Sequence, residues 1–305
     1  RVRLINRIGR YGLSSAINEG CLNSTGEVIA IMDSDGQHEV KSVYEAIDLL
    51  INGNCDLIIG SRFLEKSSTK GLSAKRKDGS SYANILARNT LSKEYRHITD
   101  YMSGCFVFKT ISCMEEIKKI DVNGFKFLYE LLALTKGKLK IKEIPLQFKS
   151  RKFGYSKLDI AVIWDFVISL IHTFINRIIP RKAISFGVVG SIGVLVHLAM
   201  VYFLISITSL SFIQVLPFAG VSAASSNFLI NNMFTFRNKR LRGIGLFYGL
   251  LKFLMVSSIP LVANVGLAAS YYTFISPNTF ISQMAGIIVV FIWNYVASSK
   301  FVWKE

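Results

Sequence analysis

Two carboxylates one residue apart, Asp33 and Asp35, follow directly on the apolar run Ile29-Ala30-Ile31-Met32 and precede Gly36-Gln37-His38. A short apolar run rich in branched side chains reads as a buried strand, and α/β sheets bind ligands outside the carboxyl ends of their strands. On an extended backbone, side chains at i and i+2 lie on one side, so both carboxylates face one cleft. Hard oxygen ligands of this kind suit Mg²⁺ or Mn²⁺ carrying phosphates, the chemistry of a nucleotide-sugar site. An Asp-rich surface turn uses the same residues, and the spacing alone leaves both readings open.

The neighbouring elements must position these groups. Residues 1–26 read as a short strand followed by a helix over roughly 12–23, and 28–32 form the strand that delivers the aspartates. Residues 41–52 carry Val43, Ala46, Ile47 and Leu50 at the helical period. Leu57-Ile58-Ile59-Gly60 is a second buried strand. It ends in Ser61-Arg62, where an arginine can grip a phosphate with two parallel hydrogen bonds. The alternation predicts a mostly parallel sheet with right-handed crossovers.

Residues 64–80, polar, basic and rich in Gly and Ser, predict a mobile loop. A helical stretch over 82–91 shows Tyr82, Ile85, Leu86 and Leu91 among basic residues, which suits a membrane surface or a core. Asp100 has the side chain of a helix or turn cap. Residues 125–135 predict an amphipathic helix in which Glu130 is structural, and 141–148 an edge strand that tolerates Pro145. The following basic loop places Arg151 and Lys157 about Gly154. It can close over a pyrophosphate or touch anionic lipid.

Composition points to a membrane. Lys and Arg number 36 against 20 Asp and Glu, and 51 % of the chain is hydrophobic. Only seven of the basic residues follow Ala183, and Glu305 is the single acid there. A basic domain tethered to a bilayer accounts for the charge better than nucleic-acid binding does, since anionic headgroups attract such a surface. Cys21, Cys55, Cys105 and Cys113 show no metal-ligand spacing and read as reduced thiols.

Residues 158–175 combine a wide apolar face (Ile160, Ile163, Trp164, Val167, Ile168, Ile171) with Asp159, Asp165 and His172, the pattern of a helix lying in the interface. Four apolar stretches follow, at roughly 183–207, 211–236, 246–274 and 278–302, each long enough to span a core of about 30 Å. Arg237, Lys239, Arg240 and Arg242 lie between the second and third, and the other two connections carry no charge. The chain is therefore expected to hold both termini and its catalytic domain in the cytoplasm. His197, Gln214, Asn227, Asn231, Asn232, Gln283 and Asn294 are polar positions in or near the spans, read as interhelical glue more readily than as a pathway.

Five further segments resemble family 2 glycosyltransferases of the dolichol-phosphate mannose synthase type, taken with Asp33-Ser34-Asp35-Gly36-Gln37-His38. They are Arg10-Tyr11-Gly12-Leu13-Ser14-Ser15-Ala16, Gly60-Ser61-Arg62-Phe63, Ser103-Gly104-Cys105-Phe106, Glu143-Ile144-Pro145, and Arg151-Lys152-Phe153-Gly154-Tyr155-Ser156-Lys157. Each is short, and their order and spacing make the set specific. The remainder resembles a GtrA-like membrane domain.

The resemblance implies an α/β domain of the GT-A, Rossmann-like kind over 1–157, an amphipathic linker over 158–182 and an all-α four-helix transmembrane domain over 183–305. It also implies that the chain starts inside the motif series, with a strand or two of the nucleotide-base pocket lying ahead of Arg1.

By the same resemblance, Asp33, Asp35 and Gln37 hold the Mg²⁺ or Mn²⁺, and Arg10 and Gly12 sit beside the nucleotide. Arg76 and Ser80 lie near the lipid phosphate, although Asp78-Gly79 stand where the family usually has apolar residues. Asp100 approaches the donor sugar or the acceptor. The expected reaction moves mannose, or else glucose, from GDP-mannose or UDP-glucose to a polyprenyl or dolichyl phosphate in the lipid bilayer, with inversion. The lipid phosphate is already anionic, so Asp35 and the positioning cations Arg62 and Arg76 carry catalysis without a general base. A processive polysaccharide synthase is the rival enzyme, and the sequence lacks the Gln-x-x-Arg-Trp motif usual in those. The membrane half can serve as a flippase for the lipid-linked sugar, as an anchor, or as the contact surface of a homo-oligomer.

Overall fold

Four strands make one mixed sheet in the order β1-β3-β2-β4, where β1 is Val28–Met32, β2 is Leu57–Ser61, β3 is Cys105–Lys109 and β4 is Ile141–Pro145. The computed structural model describes residues 2–7, 12–65, 67, 74–121, 126–147, 160–258 and 279–304, and the account below concerns these. β3 runs antiparallel between β1 and β2, pairing Cys105 with Met32 and Phe106 with both Ile31 and Ile59. Only the β2–β4 pairing is parallel. The expectation of a mostly parallel sheet fails at β3. Its apolar run Cys105-Phe106-Val107-Phe108 is buried on both faces, and such a run carries no sign of direction. β4 lies at the sheet edge, where Pro145 is harmless. Residues 2–7, expected to include a strand, form none.

Helices cover both faces. α2 (Val40–Asn52) presses Ala46 and Leu50 onto Ile58 and Val107. The other face, with Ile29, Leu57, Ile59, Phe106 and Phe108, is covered by α1 (Leu13–Leu22), α3 (Ala74–Thr90), α4 (Thr110–Ile117), α5 (Phe127–Thr135) and α6 (Ile160–Phe174). α3 occupies the second half of the stretch expected to be a loop. α5 is buried nearly all round rather than amphipathic. Its one acid, Glu130, is matched by Arg177 at 2.7 Å, which is how a charge is tolerated in a core. α3 exposes Tyr82, Ile85 and Leu86 while burying Ala87, and α6 exposes Ile160, Ile163 and Val167 while burying Ile168 and Leu170.

The chain divides into two compact units, Arg1–Ile178 and Ile179–Glu305, so α6 belongs to the first. The second unit contains α7 (Arg181–Ile207), α8 (Phe212–Ile230), α9 (Ile244–Ser258) and α10 (Thr279–Ala297). Arg181–Ile207 and Phe212–Thr235 are long and apolar enough to cross a membrane. The expected third and fourth spans run partly outside the described residues. α8 and α10 end alike, each in one π-turn, Asn231–Thr235 and Ser298–Val302. These turns are closed by Phe236 N–H to Asn231 O at 2.8 Å and Trp303 N–H to Ser298 O at 3.2 Å. The residues correspond one to one, Asn227 with Asn294 and Phe236 with Trp303. Phe236 and Trp303 stack on each other at 4.1 Å, in a core with Phe186, Phe228 and Phe253.

Candidate active site

β1 and β2 both end beside the start of β3, so whatever follows them is brought to one edge. After β1 the chain turns at once. The Asp35 Oδ1 accepts the Gln37 N–H at 3.1 Å, and Gly36 takes a left-handed φ of 75° that glycine adopts without steric cost. The Asp33 carboxylate is 36 % exposed and lies 3.8 Å from the His38 Nε2, and it packs against Gly104, where any side chain would run into it. Gln37 and His38 are buried behind the turn.

Arg62, which follows β2, is gripped by Asp100. Its Nε donates to Asp100 Oδ2 at 2.7 Å, its Nη2 to Asp100 Oδ1 at 2.8 Å, and its backbone N–H to Oδ2 at 3.2 Å. The Asp100 side chain is fully buried and that of Arg62 is 10 % exposed. Burial works against the guanidinium charge, yet the Asp100 hydrogen bonds and the fields of Asp100 and Asp33 outweigh it. Arg62 is held above the ordinary arginine value, and Asp33 acts on it directly.

Behind Asp100 stands Glu143 of β4. Its Oε2 accepts from the Thr99 N–H at 2.9 Å and the Thr99 Oγ1 at 3.0 Å, and its Oε1 accepts from the Asp100 N–H at 3.1 Å. Burial pushes Glu143 above the usual carboxylate range in spite of those donors. Ser61 Oγ meets Thr99 Oγ1 at 2.6 Å, Asn84 Oδ1 accepts the Tyr101 N–H at 3.0 Å, and Ser103 Oγ donates to Gly60 O at 2.6 Å. The 99–103 loop is thus tied to β2, α3 and β4.

Of the residues expected to matter, Asp33, Asp35, Gln37, Arg62 and Asp100 come together at this edge. Gly12 precedes α1 at φ 105°, a conformation open to glycine. Its carbonyl accepts from Ala16 N–H, Ser15 Oγ and Arg7 Nη1. Ser80 lies one turn after Arg76 on α3, and the Arg76 side chain is outside the described residues, as are Arg10, Arg151 and Lys157. Sequence reasoning assigned no role to Glu143, Thr99, Asn84 or Ser103. Glu143 follows Lys142 in a short strand and so carries no local mark of a buried role, and its partners lie 43 and 44 residues away.

The donors suit a cation that takes most of its ligands from phosphate and water. Asp33 and Asp35 are hard, partly exposed oxygens, and among the described residues no group of three His, Cys, Asp or Glu forms a closed metal cage. Mg²⁺ characteristically needs only one or two protein carboxylates alongside substrate phosphates.

Comparison with known proteins matches one stretch in each unit. Residues 1–115 match Glycosyl transferase family 2, and residues 185–303 match the GtrA/DPMS transmembrane domain. The dolichol-phosphate mannosyltransferase of Pyrococcus furiosus is 30 % identical over 305 residues, covering 99 % of this chain and 83 % of that protein. That of Mycosarcoma maydis is 32 % identical over 199 residues, 65 % of this chain and 63 % of the relative. The Saccharomyces cerevisiae protein of the same name is 28 % identical over 193 residues, 61 % of this chain and 69 % of the relative. The chain belongs to the dolichol-phosphate mannosyltransferase family, as a glycosyltransferase of family 2 joined to a GtrA/DPMS transmembrane domain.

Proposed function

We propose that this protein transfers mannose from GDP-mannose to a dolichyl or related polyprenyl phosphate at the cytosolic face of the membrane, inverting the anomeric centre. UDP-glucose is the alternative donor. The observation that carries the reading is the convergence of the Asp33–Asp35 turn and the Arg62–Asp100 pair at one sheet edge, in a chain whose relatives bear the matching name.

Asp33 and Asp35, with Gln37, would hold Mg²⁺ or Mn²⁺. Such an ion neutralises charge building on the departing nucleotide diphosphate. Arg62, kept in one rotamer by Asp100, supplies fixed positive charge at the same place without reorganising during reaction. Arg76 and Ser80 on α3 orient the acceptor phosphate, whose oxygen attacks without losing a proton. Arg10 and Gly12 border the nucleotide, and Arg151 and Lys157 close over its pyrophosphate. The exposed apolar faces of α3 (Tyr82, Ile85, Leu86) and α6 (Ile160, Ile163, Val167) rest on the bilayer and bring the edge to the lipid acceptor.

The test is to incubate membranes containing the chain with labelled GDP-mannose or UDP-glucose, with and without Mn²⁺, and to extract the lipid product. Label should pass from GDP-mannose to lipid only with the metal present. Asp35→Asn should abolish transfer while membrane insertion persists. Full activity of that variant rejects the metal role, and label arriving from UDP-glucose alone rejects the donor.

A further inference from the structure

Between α8 and α9 the chain forms a short arch, residues 240–243, over a cavity of about 330 Å³. Its walls are apolar, with Leu229 from α8, Met233 from the π-turn that follows it and Leu246 from α9, and Arg240 and Arg242 stand at its lining. The arch is not a loose loop. Leu241, between the two arginines, is bound at both of its backbone groups by one buried side chain. Its N–H donates to Asn232 Oδ1 at 2.8 Å and its carbonyl accepts from Asn232 Nδ2 at 3.1 Å. The Trp303 Nε1–H donates to the same Asn232 Oδ1 at 3.1 Å, which joins the arch to the second π-turn. Gly243 then reverses the chain at φ 54° into α9.

Two guanidinium-bearing residues therefore stand beside an apolar recess in a unit whose sequence holds a single acidic residue, Glu305. After Asp165 the sequence has no acid until Glu305. A planar guanidinium fork matches phosphate oxygens, and basic pockets between membrane helices bind lipid headgroups. Leu229 and Met233 are also half exposed next to the cavity, where acyl chains can cover them. A soluble nucleotide would leave that apolar wall bare.

We propose that this cavity binds the phosphate headgroup of an anionic diacyl phospholipid from the surrounding leaflet, with Arg240 and Arg242 on the phosphate and the Leu229–Met233–Leu246 wall against the upper acyl chains. This site is built from residues of the second unit alone and does not depend on which sugar is transferred.

The full chain in nanodiscs of phosphatidylcholine doped with phosphatidylglycerol tests it, by native mass spectrometry of retained lipid and by melting temperature. The wild type should retain phosphatidylglycerol and melt higher than in phosphatidylcholine alone. R240Q/R242Q should lose both the retained lipid and the shift. K239Q/K300Q, which removes equal charge elsewhere in the unit, should keep both. If R240Q/R242Q misfolds, R242Q alone, at an exposed position, carries the comparison. Equal behaviour of the two double variants overturns the proposal in favour of diffuse attraction. Displacement by excess inorganic phosphate, or by added polyprenyl phosphate, overturns it in favour of a soluble anion or of the acceptor lipid.

Discussion

Glu143 accepts the backbone N–H of Asp100 at 3.1 Å, so that one half-buried acid sets the position of a fully buried one. Like charges at this range would drive the pair apart. The arrangement stands because Asp100 spends its charge on Arg62 and Glu143 spends its oxygens on backbone and hydroxyl donors of residues 99 and 100. The site is thus a relay of supports from β4 through the 99–103 loop to the cation after β2.

Glu143→Gln should leave a donor of that set unpaired, at a cost of about 1–3 kcal/mol, and lower glycosyl transfer by loosening Asp100. The folded-state value of Glu143 is raised from 4.5, chiefly by burial. Its protonation therefore favours the fold below pH 4.5, and that contribution is lost as pH rises through the folded value. Melting temperatures of the solubilised protein, measured upward from pH 4.5, should show a decline in the wild type that the Gln variant lacks. Parallel curves would remove Glu143 from the account.

Asp100→Ala strands the buried Arg62 charge and should destabilise by about 3–5 kcal/mol. The double variant Arg62→Met, Asp100→Leu should regain most of that stability yet transfer no sugar. Thermal melts set beside lipid-product assays separate the two effects, and an active double variant would show that Arg62 contributes only to the fold.

All four thiols should be inert in the native protein. Each is free and buried, and burial pushes Cys21 and Cys105 up to about 11 and Cys113 to about 12. Thiolate is the reactive form, so maleimide labelling near neutral pH should proceed only after denaturation, and transfer activity should survive the reagent. Rapid native labelling of Cys105, beside Asp33, would mean that the sheet edge opens far more often than its packing implies.

Asn232→Ala should destabilise the membrane unit strongly. It deprives the Leu241 N–H, the Leu241 carbonyl and the Trp303 Nε1–H of their shared partner, at about 1–3 kcal/mol for each buried group left unpaired. Thermal unfolding in detergent, followed by tryptophan fluorescence, reads this directly. An unchanged melt would indicate that water replaces all three bonds.

How far the sequence could be read depended on range. The β1 and β2 runs, the 41–52 helix and the acids after β1 are local signals, and residues within a few positions of one another suffice to recognise them. The antiparallel entry of β3 is not local, because an apolar run buried on both faces looks the same in either direction. The Arg62–Asp100 pair spans 38 residues, so each member read separately as a ligand-facing group. Glu130 of α5 reads as structural from the sequence, but its partner Arg177 lies 47 residues on and is not legible there. The correspondence between the ends of α8 and α10 was visible in the letters, but only the two matching π-turns give it meaning.

The bond from Trp303 to Asn232 spans 71 residues, and it governs how the membrane half is made. Asn232 precedes the arch it holds, whereas the indole that completes the Asn232 bonds comes at the far end of the unit. A chain ending before Trp303 would keep both Asn232 bonds to Leu241 and lose the indole donor on the same oxygen, so the last turn of the unit reinforces a bend made 60 residues earlier.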